Sequence, residues 1–212
     1  MPAIIYKNRD GKRVPSVTTV INQWGIKTQP LVYWAWKQGE AGIPLYEKQE
    51  ADVGTLAHSM IDADIKGKDL ELGDFGIEII EQAKVCYSNW ERWKEAHKFE
   101  PFESEISLIS EEHQFGGTID NVSWIDGKLS IADIKTGKDV YEDHILQIIA
   151  YEKLWNENFP DHPIEGGYHI VRLGKEIASF DYRVYWEFPH AWDAFLMLRQ
   201  LYDMAKQIKK LK

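Results

Sequence analysis

The chain has 212 residues, 44% hydrophobic and 13% aromatic, with a formal net charge of −9. That is enough for one substantial domain with a real core. The single Cys86 excludes a disulfide framework and a four-cysteine zinc or iron–sulfur site within the chain. No stretch approaches membrane-spanning length and Met1 to Lys12 is polar, so the expectation is no membrane partner and a cytoplasmic setting, bacterial, phage-infected or within an organelle.

Taken in order, Pro15-Ser16 leads into Val17–Ile21, a short helix capped by Ser16. Leu31–Gln38 carries Trp34 and Trp36 before Gly39, and Trp24, Trp34 and Trp36 are assigned to the core. A helical pattern over Glu47–Lys66 holds His58, with Ala57, Met60, Ile61 and Ile65 apolar, and a longer amphipathic helix runs from about Phe75 to His97. Cys86 reads as a buried hydrophobe. Strands follow at Glu105–Ile109, Thr118–Ile125 and Lys128–Thr136, then a helix over Glu142–Glu157. Tyr168–Leu173 and Ile177–Tyr185 read as strands, and a last helix starts at Pro189. With no repeat or linker, one domain over 1–212 is expected: a helical N-terminal region (1–100), a core (101–185) and a terminal helix (188–212). The fold class is α/β (α+β), a mixed central sheet flanked by helices.

The densest information lies around Asp126-Gly127. This pair is a strong signal for a two-residue hairpin loop, which sets the register: Ile125 with Lys128, Trp124 with Leu129, Val122 with Ile131, and Asp120 with Asp133. Directly opposed like charges are destabilising, and a divalent cation removes the repulsion. Lys135, two residues past Asp133, projects to the same side.

Reading outward, the order is Gly54-Thr55-Leu56-Ala57-His58, Gly117-Thr118-Ile119-Asp120, Asp133-Ile134-Lys135 and Gln147-Ile148-Ile149-Ala150-Tyr151. This set resembles the PD-(D/E)XK nuclease superfamily, RecB-like exonuclease branch, and Pro15-Ser16-Val17-Thr18 is similar to the start of its phage-type and mitochondrial members. The likeness covers roughly residues 14 to 175. It implies a restriction-endonuclease-like core and a Mg²⁺- or Mn²⁺-dependent deoxyribonuclease. The expected activity is exonucleolytic hydrolysis of phosphodiester bonds to 5′-phosphates on single-stranded DNA ends, in repair, recombination or phage DNA processing. A helicase, single-strand-binding or recombination protein is the implied partner. The many relatives with an iron–sulfur cluster are set apart by the lone cysteine, so no such cluster is expected.

The same resemblance assigns roles. Asp120, Asp133, the main-chain carbonyl of Ile134 and His58 would hold one or two ions, oxygen ligands suiting hard cations and the imidazole favouring Mn²⁺. Lys135 would orient the attacking water or stabilise developing charge. Glu105 would join the catalytic acids, with Glu103 as fallback. Asp62, one turn after His58, would hold its ring or is a solvated acid. Gln147 and Tyr151, four apart on a helix, would contact DNA, and Lys138 would touch phosphate. The alternatives are a structure-selective endonuclease on the same fold and a non-catalytic DNA-end-binding module.

Overall fold

A computed structural model describes residues 4–25, 28–42, 49–73, 75–177 and 179–211. Its first elements are helices: α1 (Val17–Ile21), a 3₁₀ turn over Asn22–Trp24, α2 (Thr28–Glu40), α3 (Gln49–Lys66) and α4 (Ile77–Glu95). The expected start of α3 at Glu47 lies outside the described residues. β1 (Phe99–Ser110), β2 (Phe115–Ile125) and β3 (Lys128–Lys135) follow, then α5 (Glu142–Asn158), β4 (Tyr168–Leu173), β5 (Phe180–Tyr185) and α6 (Ala191–Lys209). The five strands form one sheet in the order β1-β2-β3-β4-β5, antiparallel except where β3 meets β4. The parallel pair needs a crossover, and α5 supplies it. This mixed sheet flanked by helices agrees with the expected restriction-endonuclease-like core.

The hairpin forms in the expected register, with Ile125 on Lys128, Trp124 on Leu129 and Val122 on Ile131. Asp126 and Gly127 both take left-handed backbone, φ 52° and 81°, as a turn matching the strand twist requires. Strand alternation then sorts β3 between two cores. Leu129 and Ile131 pack with α1, α5 and α6, whereas Ala132 and Ile134 pack with α3 and α4. Cys86 is buried in the second core.

Two differences from expectation matter. β1 begins at Phe99 rather than Glu105, and its pairing slips between Pro101 and Glu103. Such a bulge bends a strand and re-aims the side chains beyond it. The tryptophans near the N-terminus are not core: Trp24, Trp34 and Trp36 are exposed, as are Val32 and Tyr33. Counting apolar residues does not distinguish a core helix from one that presents its rings outward.

Two motif glycines are positions of close approach. A Cβ on Gly117 would lie 2.9 Å from Tyr151 Cε1 and 3.0 Å from both Leu154 Cδ1 and Val17 Cγ2, so α1 and α5 converge on β2 there. The Pro15 carbonyl accepts the Gly116 N–H at 2.9 Å, which seats α1 beside the same point. Gly54 similarly lets α3 approach the end of β3, where a Cβ would be 2.9 Å from Thr136 Oγ1. Gly117→Ala is expected to destabilise the fold by about 1–3 kcal/mol through overpacking, read by chemical denaturation. A neutral substitution would show that these helices do not sit where they are described.

Candidate functional site

Asp120 stands in the middle of a row of carboxylates. The β2–β3 ladder ends one pair earlier, at Asn121 with Ala132, and the same register continued by one residue sets Asp133 opposite it on β3; on β1, Glu105 lies between Ser104 and Ile106, the partners of Asn121 and Ile119 on either side of it. The β1 ladder is interrupted there: Ser104 pairs with Asn121 and Ile106 with Ile119, while Glu105 adopts left-handed backbone at φ 50°. A non-glycine residue in that region is uncommon and costs free energy. The turned backbone leaves the Glu105 carboxylate 3.9 Å from His58 Nδ1.

His58 reaches the same place from α3, its Nδ1 3.7 Å from Asp120 Oδ2. One ligand atom each from His58, Glu105 and Asp120 lie within 4.8 Å of one another, a set of nitrogen and oxygen donors that could hold a divalent ion. Asp120 Oδ2 accepts the Ile134 N–H at 2.9 Å, which pins Asp120 to β3. Asp133 is fully buried and turned toward Lys135, whose Nζ is 2.5 Å from Oδ2. The ammonium thus covers Oδ2, and Oδ1 is buried with no hydrogen-bond donor. A buried carboxylate oxygen without a donor, beside a carboxylate–imidazole cluster, fits a cation better than it fits an apolar core.

Charge follows from these distances. Burial pushes the Asp133 carboxyl up, Lys135 opposes the shift, and Asp120 adds to it. Burial works against the Lys135 ammonium, but Asp133 and Asp120 outweigh it and the amine stays charged. His58 is a similar balance: burial disfavours the imidazolium, and the negative charges of Asp120 and Glu105 win, leaving its pKa raised.

Asp62 does not hold the His58 ring. Its Oδ1 accepts from Ser104 Oγ at 2.7 Å and meets Lys66 Nζ at 2.7 Å, one turn along α3. Ser104 is the residue before Glu105, so Asp62 ties α3 to β1 beside the left-handed backbone. Nothing in the sequence pattern marks Ser104 for this role.

Gln147 and Tyr151 lie together on α5, Gln147 Nε2 donating to the Tyr151 hydroxyl at 2.7 Å. Tyr151 is buried, and its phenol is held well above its ordinary pKa by burial first and then by Asp120 and Asp133. Gln147 and Lys135 also line a cleft of about 280 Å³ with Thr18, Ile21, Asn22, Asp143 and His144. Lys138 is exposed in the loop after β3, and Glu103 pairs with Val122 outside the cluster.

No protein-family model and no curated protein sequence matches the chain. Among solved structures, one from Eubacterium rectale named as a candidate exonuclease is similar over 74% of this chain and 68% of that one, at 15% identity and a TM-score of 0.49. A likeness of that size is one of outline, and the chemistry rests on the geometry above.

The same geometry predicts how His58 titrates. Its ring is expected to titrate above the ordinary value of about 6.5 in the metal-free protein, followed by NMR of the ring protons. Asp120→Asn removes the largest raising influence while burial remains, so the pKa must fall. A pKa that stays put in that variant would separate the two side chains.

Proposed function

We propose that the chain is a metal-dependent deoxyribonuclease of the PD-(D/E)XK superfamily, RecB-like branch, acting as an exonuclease on single-stranded DNA ends. The observation that carries this reading is the convergence of His58, Glu105 and Asp120, with Lys135 charged against Asp133 on the neighbouring strand. A structural ion site has no need of a buried lysine facing a cleft, and a degenerate binding module has no need of the strained Glu105 backbone.

His58, Glu105 and Asp120 would hold the ion, with the unpartnered Oδ1 of Asp133 beside them. A Mg²⁺ or Mn²⁺ ion bound there supplies Lewis-acid charge and lowers the pKa of water. The protein's own groups do the rest. Lys135, kept protonated by two carboxylates, directs positive charge into the cleft where a phosphate's equatorial oxygens would gain negative charge. Gln147, oriented by Tyr151, would offer its remaining N–H to a phosphate oxygen of the nucleic-acid backbone at the same wall. Lys138, exposed in the loop after β3, would meet a flanking phosphate.

A chain with net charge −9 must grip nucleic acid through local contacts rather than a broad basic surface. The exposed rings of Trp24, Tyr33, Trp34 and Trp36 suit that need, since stacking holds unpaired bases without regard to sequence. Lys37 Nζ sits 4.8 Å from the Trp36 ring centroid, adding a cation to the rings. The cleft wall formed by Thr18, Ile21 and Asn22 runs directly into Trp24. A single strand stacked on Trp24 would therefore lie near the cleft that Lys135 lines. Repair, recombination or phage DNA processing, with a helicase or single-strand-binding partner, is the setting this substrate implies.

The test is cleavage of end-labelled linear and covalently closed single-stranded DNA with Mg²⁺ or Mn²⁺. Linear DNA is expected to be degraded and circles spared. Asp120→Ala should abolish the reaction, and Lys135→Ala should slow it by roughly 10²–10³ while leaving metal affinity nearly unchanged. Efficient cutting of circles would favour an endonuclease, and full activity in Asp120→Ala would remove the assignment.

A further inference from the structure

Helix α6 has two apolar faces, and the body of the protein uses one. Ala191 and Phe195 are buried, and Trp192, Ala194 and Leu198 pack against the same core. On the other side Met197, Leu201, Met204 and Ile208 are 68%, 43%, 51% and 62% exposed. Their spacing is four, three and four residues, the alternation of a coiled-coil seam. At 1.5 Å per residue the seam is about 17 Å long.

The helix also outruns its support. From Asp203 to Leu211 every residue is exposed, so the last two turns extend beyond the core face. Helical segments that short are marginal in water unless something covers their apolar side. A partner helix with the same periodicity is the natural cover.

We infer that the partner is a second copy of this chain, its α6 packed antiparallel on the first about a two-fold axis. Two features select this occupant. The positions that flank the seam, Leu198, Gln200, Ala205 and Gln207, carry no charge, so identical helices meet without like charges along the contact. Charge placement sets the direction. Lys206 and Lys209 in the last turn and Lys210 at the cap crowd the end of α6 in a chain whose net charge is −9. A parallel pair would stack the two basic tips together. An antiparallel pair separates them and points each toward the other copy's body, where the negative balance lies. In that arrangement Leu201 of one copy lies opposite Met204 of the other, and Met197 opposite Ile208, a self-complementary contact of the kind two-fold dimers use. Fewer than two heptads make a small interface, so association is expected to be weak.

Sedimentation of the purified full chain over a concentration series tests this. A monomer–dimer equilibrium is expected, and Leu201→Lys or Met204→Lys should leave a folded monomer by circular dichroism, because both side chains point away from the core. Orientation is read by crosslinking. Cys86 is buried, so protein carrying Leu201→Cys mixed with protein carrying Met204→Cys should form a mixed disulfide dimer faster than either forms one alone. A chain that stays monomeric to several hundred micromolar, or a dimer that survives both lysine substitutions, overturns the proposal. Crosslinking of the Met204→Cys protein to itself in preference to the mixed pair overturns the antiparallel arrangement.

Discussion

Everything at the candidate site depends on one electrostatic constraint: three acidic side chains occupy adjacent positions across β1, β2 and β3. Directly opposed like charges on neighbouring strands repel, so the arrangement persists only where opposite charge or a bound cation offsets it. Two side chains supply some of that offset. His58 lies against Asp120 and Glu105, and Lys135 lies against Asp133. The remainder, visible in the unpartnered Oδ1 of Asp133 and the clustered ligand atoms of the other three residues, is what a divalent ion would satisfy.

The fold serves this constraint by bringing backbone unusually close around it. Gly117 admits Tyr151 and Leu154 of α5 and Val17 of α1 to the strand that carries Asp120, and Gly54 admits α3 to the end of the strand that carries Asp133 and Lys135. His58 follows Gly54 by one helical turn, so the same approach that seats α3 delivers the imidazole. Asp62, another turn on, secures β1 through Ser104 where Glu105 leaves regular strand geometry. Three points on one helix face thus locate the cluster against three strands.

The hairpin was legible in the sequence because its determinants are local: Asp126-Gly127 dictates a two-residue turn, and every pair back to Asn121 and Ala132 follows by counting, one short of the expected Asp120 with Asp133. The helices were legible from their periodicity, with ends displaced by a few residues. Glu105 was legible as a candidate acid but not as a partner of His58, since its position depends on a bulge just upstream and on a left-handed backbone that no residue type announces. Asp133 was legible as an acid beside Asp120, but the approach of Lys135 to its Oδ2 depends on side-chain conformation, which a strand pattern does not record. The outward tryptophans of α2 were missed because ring content alone carries no sign for inside or outside.

The most direct test of the central claim is thermal unfolding with and without Mn²⁺, comparing the parent chain with Asp120→Asn. A ligand that binds only the folded state raises stability by about 2.7 kcal/mol at a hundred times its dissociation constant. The parent chain is predicted to melt several degrees higher with Mn²⁺, saturating with concentration, and Asp120→Asn to show no such rise. An equal rise in both proteins would place the ion elsewhere and contradict the account.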